Sequence, residues 1–160
     1  MAVATRTGTV TVNPAFLREV KEIHEELWQK LRECRCRAAE PVENAEEAAQ
    51  FRQLLDELLE RLARHFTVEE TCGYFENPLE VAPHLATRCD QLRREHASLY
   101  LELLAIVDHA DVLLDSGEAP RLWVAVQSAF IAFDDRLKAH EEAEAELIQA
   151  AFTQDFGGEG

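Results

Sequence analysis

Proline and glycine are scarce, five of one and six of the other in 160 residues, so few positions force a turn or interrupt a helix. Basic residues are also few: 16 Lys and Arg stand against 31 Asp and Glu, a formal net charge of -15. A surface of that sign repels the phosphates of nucleic acid and anionic lipid, and neither is expected as a partner. No apolar run approaches the roughly 20 residues that cross a bilayer. The opening MAVATRTGTVTVN lacks the apolar block of a secretion signal, so a cytoplasmic location is expected. The four cysteines, at 34, 36, 72 and 89, show neither CxxC spacing nor the density of a disulfide scaffold. They are expected to be reduced packing residues, with no bridge between Cys34 and Cys36.

Apolar types make up 47% of the chain, enough for one hydrophobic core and too little chain for two. Long stretches rich in Leu, Ala, Glu and Arg favour helix throughout. Asn13-Pro14 reads as an N-cap with proline at the first helical position, opening a helix through Phe16, Leu17, Val20, His24, Leu27, Trp28 and Leu31 to about Ala39. Asn44 with Glu47 forms a capping-box pattern that starts a second helix through Phe51, Leu54, Leu55, Leu58, Leu62 and His65 to about Tyr74. Gly73 and Asn77-Pro78 mark a turn; Pro83 begins a third helix through Leu92, His96, Leu99 and Leu103 that ends before Gly117. Pro120 starts the last, through Leu122, Val126, Phe130, Phe133, Leu137, His140, Glu144 and Leu147. Short connections between long helices predict an all-α, up-down-up-down antiparallel four-helix bundle over residues 14–153, with a flexible tail at 1–13 and a disordered one at 154–160.

Histidine placement is the informative feature. At about 1.5 Å of rise per residue, His24 lies roughly 15 Å from the start of its helix and His65 roughly as far from the end of the next. His96 and His140 reach a similar level by the same arithmetic, and all four share a stripe with inward leucines and aromatics. Glu69 and Glu144 each follow a histidine by four residues, one turn on and nearly the same face. His84 and His109 are rotated from His96 by about 120° and 140°, so neither is assigned a metal. A single buried histidine is ordinarily a hydrogen-bonded core residue. Four at one level beside two carboxylates, walled by apolar groups, would be heavily penalised by desolvation unless paired, and two bound dications relieve that penalty.

Were both glutamates to bridge, each ion would receive two imidazoles and two carboxylate oxygens, leaving an open position. A closed structural zinc site would instead use four ligands on one ion, commonly thiolates. Ferritin-like di-iron bundles place a lone Glu on two helices and Glu-x-x-His on the others. Here the lone group is His and the motif is His-x-x-x-Glu, richer in neutral nitrogen. The donor types also suit zinc or manganese.

On His24, then His65-Phe66-Thr67-Val68-Glu69-Glu70, then His96, then His140-Glu141-Glu142-Ala143-Glu144, the chain resembles the hemerythrin-like family, also called the HHE cation-binding domain, over about residues 14 to 153. The resemblance implies two iron ions with an oxo or hydroxo bridge, held by His24, His65, Glu69, His96, His140 and Glu144. It also implies an open iron position that binds O2, nitric oxide or peroxide, as a carrier or sensor. The alternative is a di-iron redox enzyme acting as a peroxidase, a ferroxidase or an NO-handling protein. Oxygen-carrying members place a second histidine where this chain has Tyr100, and an aspartate five residues after the last histidine, where this chain has Glu144 at four. Tyr100 could donate a hydrogen bond into the pocket, bind iron as phenolate or fill space, and Trp28 could wall the pocket beside His24. Glu70, Glu141, Glu142 and Glu146 are expected on solvated faces.

Overall fold

The structure is a computed structural model that describes residues 14–71, 83–117 and 120–157, with side chains described over 18–70, 84–117 and 120–150. The expected tail at 1–13, the turn at Gly73 and Asn77-Pro78, and Cys72 lie outside the described residues. Four helices carry the fold: α1 (Pro14–Ala39), α2 (Ala45–Thr71), α3 (Ala86–Ser116) and α4 (Trp123–Gly157). Single 3-10 turns at Pro83–Leu85 and Pro120–Leu122 lead into α3 and α4, so each proline opens its helix through a tighter first turn. There is no strand among the described residues, and no helix among them is long and apolar enough to cross a membrane. The last helix continues to Gly157, past Thr153 where the sequence pattern gives out and into the segment expected to be a disordered tail.

Local chemistry sets the ends. Asn44 Oδ1 accepts from the Glu47 N–H at 2.8 Å, and the Glu47 carboxylate reaches back to the Glu43 N–H at 3.0 Å, one residue before the donor that a capping box uses. Gly117 closes α3 at φ 63°, ψ 27°, its N–H turned to the Leu113 and Leu114 carbonyls. A residue with a Cβ is strained in that left-handed conformation. Beyond α1, the buried Gln127 side chain donates to the Glu40 carbonyl at 2.6 Å and the Ala38 carbonyl at 3.3 Å, satisfying acceptors that the helix end leaves open.

Packing joins α1 to α2, α2 to α3, α3 to α4, and α4 back to α1. The main core draws on all four: Leu27 and Leu31, Phe51, Leu55, Leu58 and Leu62, Leu103, then Trp123, Phe130, Phe133 and Leu137. A smaller cluster of Cys89, Leu92 and Leu147 lies apart from it. Between the two along α3 comes His96, and between them along α4 come His140 and Glu144, so a polar layer interrupts the apolar filling. Leu122, expected on the inner face, is 39% exposed; the adjacent Trp123 fills the core in its place because the 3-10 turn changes the register there.

Among the described residues, only one carboxylate outside that layer is deeply buried. Asp134, 5% exposed, accepts two bonds of 2.7 Å from the Arg35 guanidinium across α1 and α4. Arg35→Ala is expected to lower unfolding stability in urea by about 2 kcal/mol, because a desolvated carboxylate loses a charge-assisted pair. Lys138, 3.4 Å from Asp134 Oδ2, sets how much is recovered; a loss under about 0.5 kcal/mol would mean that it suffices alone.

Cysteine usage divides. Cys34 is buried, its thiol 3.6 Å from the Leu54 carbonyl and pushed up to about 12 by burial, and Cys89 is buried as well. Cys36 departs from the packing role expected of it and is exposed, since it lies two residues past Cys34 and so turns away from the core. The described cysteines are all free thiols.

Candidate metal centre

Each helix from α2 to α4 brings one buried imidazole to the polar layer: His65, His96 and His140 are 4%, 3% and 3% exposed. Glu69 and Glu144 are buried beside them. The one-turn offset aims both members of each pair at one point, with His65 Nε2 2.7 Å from Glu69 Oε1 and His140 Nε2 2.6 Å from Glu144 Oε1. His96 Nε2 sits between the pairs, 3.1 Å from Glu69 Oε2 and 2.9 Å from Glu144 Oε1. Phe66 stacks on the His96 ring at 4.1 Å and closes the layer from the main core.

Among the described residues, two sets of donor atoms gather closely enough to hold an ion. Glu69, His96, His140 and Glu144 form one and His65, Glu69 and Glu141 the other, each set within 4.8 Å, with Glu69 common to both. Donors bound at about 2.1 Å to one ion stand roughly 3 to 4 Å apart; here neighbouring donor atoms lie 2.6 to 3.1 Å apart, at direct hydrogen-bonding distances that would have to widen slightly to admit an ion. Two buried atoms in the layer make no hydrogen bond: Glu69 Oε2 and His140 Nε2. His140 Nε2 lies 2.6 Å from a carboxylate oxygen yet has no hydrogen-bonding alignment with it, as expected of donors arranged around a shared cation rather than with each other. These residues could hold a metal ion, and imidazole with carboxylate suits iron, zinc or manganese.

The outward nitrogens are also engaged. Glu70 Oε1 is 3.1 Å from His96 Nδ1, and Glu95 Oε2 is 2.6 Å from His140 Nδ1. A carboxylate on Nδ1 holds a proton there and aims the ring, so that Nε2, once its own proton is displaced, would offer its lone pair to a cation.

Proton binding follows the same contacts. Burial pushes the His65 imidazole down, but Glu141 and Glu69 outweigh it and hold the pKa at about 10. His96, opposed by burial, is likewise raised to about 10 by Glu144, Glu69 and Glu70. His140 is raised against burial by Glu144 and Glu95. Glu69, which burial alone would raise, is lowered to about 2 by its two imidazole neighbours.

Five of the six expected ligands thus meet in one layer, and His24 stands apart. It is exposed, belongs to neither donor set, and accepts a 2.5 Å hydrogen bond on Nε2 from Trp28 Nε1, although its ring is 5.2 Å from that of His65. Partial burial and then repulsion from His65 lower its pKa. Among the described side chains of α1 the buried ones are Ile23, Leu27, Leu31, Cys34 and Ala38, a stripe that leaves His24 and the half-buried Trp28 on its shoulder. Tyr100 is half-buried on α3. His84 and His109 are exposed, His109 as its rotation on α3 predicts and His84 in the 3-10 turn ahead of that helix.

Glu141, expected on a solvated face, has a side chain only 12% exposed and an oxygen 3.1 Å from His65 Nε2. Glu70 and Glu95, which reach imidazoles on a neighbouring helix, were equally hidden from a one-helix reading. Each of the three is adjacent in sequence to a site residue, rotated by about 100° toward the seam between helices, and that adjacency is the only signal for them. Comparison with protein-family models, with curated proteins and with solved structures finds no match to this chain, so its reading rests on its own residues.

Proposed function

We propose that this chain is a hemerythrin-like up-down-up-down bundle holding two iron ions, and that it binds O2 or a related small ligand such as nitric oxide or peroxide as a carrier or sensor. The observation that carries the reading is the pair of donor sets joined through Glu69, whose two oxygens face different imidazoles. The antiparallel order is supported by cross-links that climb one helix while descending the next. Glu26, Lys30 and Arg37 meet Arg64, Glu57 and Glu47 between α1 and α2, and Glu95 and Glu102 meet His140 and Arg136 between α3 and α4.

Iron in such a site supplies reversible electron donation to a small oxidising or radical ligand. The chain's part would be to hold and aim three imidazoles and to offer Glu69 to both donor sets, between the apolar clusters above and below. A cleft of about 370 Å³ lined by His24, Trp28, Glu141 and Glu144 gives access from one side. That exceeds the roughly 30 Å³ a water occupies, so a diatomic or peroxide fits in it.

Protein purified under nitrogen with iron supplied is expected to carry about two irons per chain and to gain a charge-transfer absorption band on admitting air, reversed by evacuation for a carrier. Iron-free material, or iron that ignores air and nitric oxide alike, would overturn the proposal.

A further inference from the structure

Resting on the metal reading, we infer that the cleft between α1 and α4 is the path by which divalent cations load the polar layer, and that the exposed Glu142 steers them into it. Among the described residues, clefts touch the layer at two seams: one of about 370 Å³ between α1 and α4, and one of about 340 Å³ between α3 and α4. Similar in size, the two offer an approaching cation opposite chemistry.

The α1–α4 cleft is lined by Glu141, Glu142 and Glu144 against one lysine, Lys138, whose ammonium is 3.4 Å from Asp134 Oδ2 and so partly neutralised. Glu142 is exposed and makes no hydrogen bond or ion pair with another described residue, which leaves its charge free to act on a passing ion. Glu141 and Glu144 each belong to a donor set, and Glu144 is only 2% exposed, so carboxylates lead in steps from solvent to the buried ligands. A cation with its shell of waters, roughly 180 Å³ for six waters at about 30 Å³ each, fits within this volume. A cleft lined by one sign of charge concentrates the opposite ion and raises its on-rate.

The α3–α4 cleft lacks that gradient. Arg88 and Arg136 balance Glu95 and Glu102 along it, and the Arg136 guanidinium donates to Glu102 at 2.9 Å. The donor residue that lines this cleft is His140, and Glu95 Oε2 already lies 2.6 Å from its Nδ1. The nitrogen turned to the donor set is the other one, Nε2, 2.6 Å from Glu144 Oε1 across the ring. A cation arriving by this seam meets guanidinium groups first and then an occupied nitrogen.

Stopped-flow mixing of the full chain, stripped of metal, with cobalt(II) tests this, the visible d–d band reporting loading and its decay into excess chelator reporting release. At about 0.1 M ionic strength a Debye length of about 10 Å confines each charge largely to its own cleft. Glu142→Gln is then expected to load about threefold slower than wild type, Glu142→Lys about tenfold slower, and Lys138→Gln about twofold faster. Release rates and the number of ions bound, read by equilibrium dialysis, are expected to stay at wild-type values, because a charge at the rim acts on approach. Glu102→Gln, in the other cleft, is expected to load as wild type does, and at about 1 M salt the Glu142 and Lys138 differences should vanish. Wild-type loading by Glu142→Lys, a change in release in place of loading, or a slower Glu102→Gln overturns the route. A wild type that binds no cobalt overturns the metal reading itself.

Discussion

Stripping the metal with a chelator is expected to lower the melting temperature by roughly 5 to 15 °C. A cation bound to the folded chain alone, at a free concentration 100 to 1,000 times its dissociation constant, stabilises by about 3 to 4 kcal/mol. For a chain of this length each kcal/mol moves the midpoint by about 2 to 4 °C. The drop stays finite because the stripped layer has an internal substitute: protonated His65 and His96 face the carboxylates of Glu69, Glu141 and Glu144 at 2.7 to 3.1 Å. Glu69→Ala should abolish the chelator effect altogether, since Glu69 belongs to both donor sets. Scanning calorimetry with and without chelator, on wild type and Glu69→Ala, measures both. An unchanged wild-type midpoint would mean that the layer is held by ion pairs alone.

Helix ends were legible because their chemistry is local. Asn44, Glu47 and Gly117 act on backbone groups within four residues, so their sequence pattern and their geometry coincide. Buried positions on α3 were legible for a similar reason: Leu92, His96, Leu99 and Leu103 repeat at helical spacing and all face inward. What escaped is what depends on a neighbouring helix. On α1, a stripe drawn through Val20, His24, Leu27 and Leu31 differs from the true one through Ile23, Leu27 and Leu31 by a fraction of a turn, and that fraction moves His24 from core to shoulder. Glu141 illustrates the converse. Its own helix gives it no apolar company, yet the seam with α2 buries it against His65. A helical wheel supplies angle within one helix, whereas ligand choice at a shared site is decided by the rotation of one helix against another.

The pH dependence of stability should reverse direction when metal is removed. In the stripped chain His65 and His96 titrate near 10, well above their ordinary 6.5, so the folded state binds protons more tightly than the unfolded one. The stabilisation they bring is complete below about pH 6.5 and is lost as pH rises through 10. Glu69, lowered from 4.5 to about 2, contributes in the other sense: its stabilisation is present above pH 4.5 and disappears as pH falls through 2. Stripped protein is therefore expected to be most stable between about pH 4.5 and 6.5 and to weaken steadily on the alkaline side. In the loaded protein a cation must displace the imidazole protons, so affinity and hence stability climb from pH 5 toward 8. Urea unfolding at half-unit pH intervals, with chelator in one series and metal in the other, should give curves of opposite slope between about pH 6.5 and 8. Parallel curves would mean that the imidazole nitrogens facing Glu69 and Glu144 do not exchange protons for metal, and would remove the coupling on which the two-ion site depends.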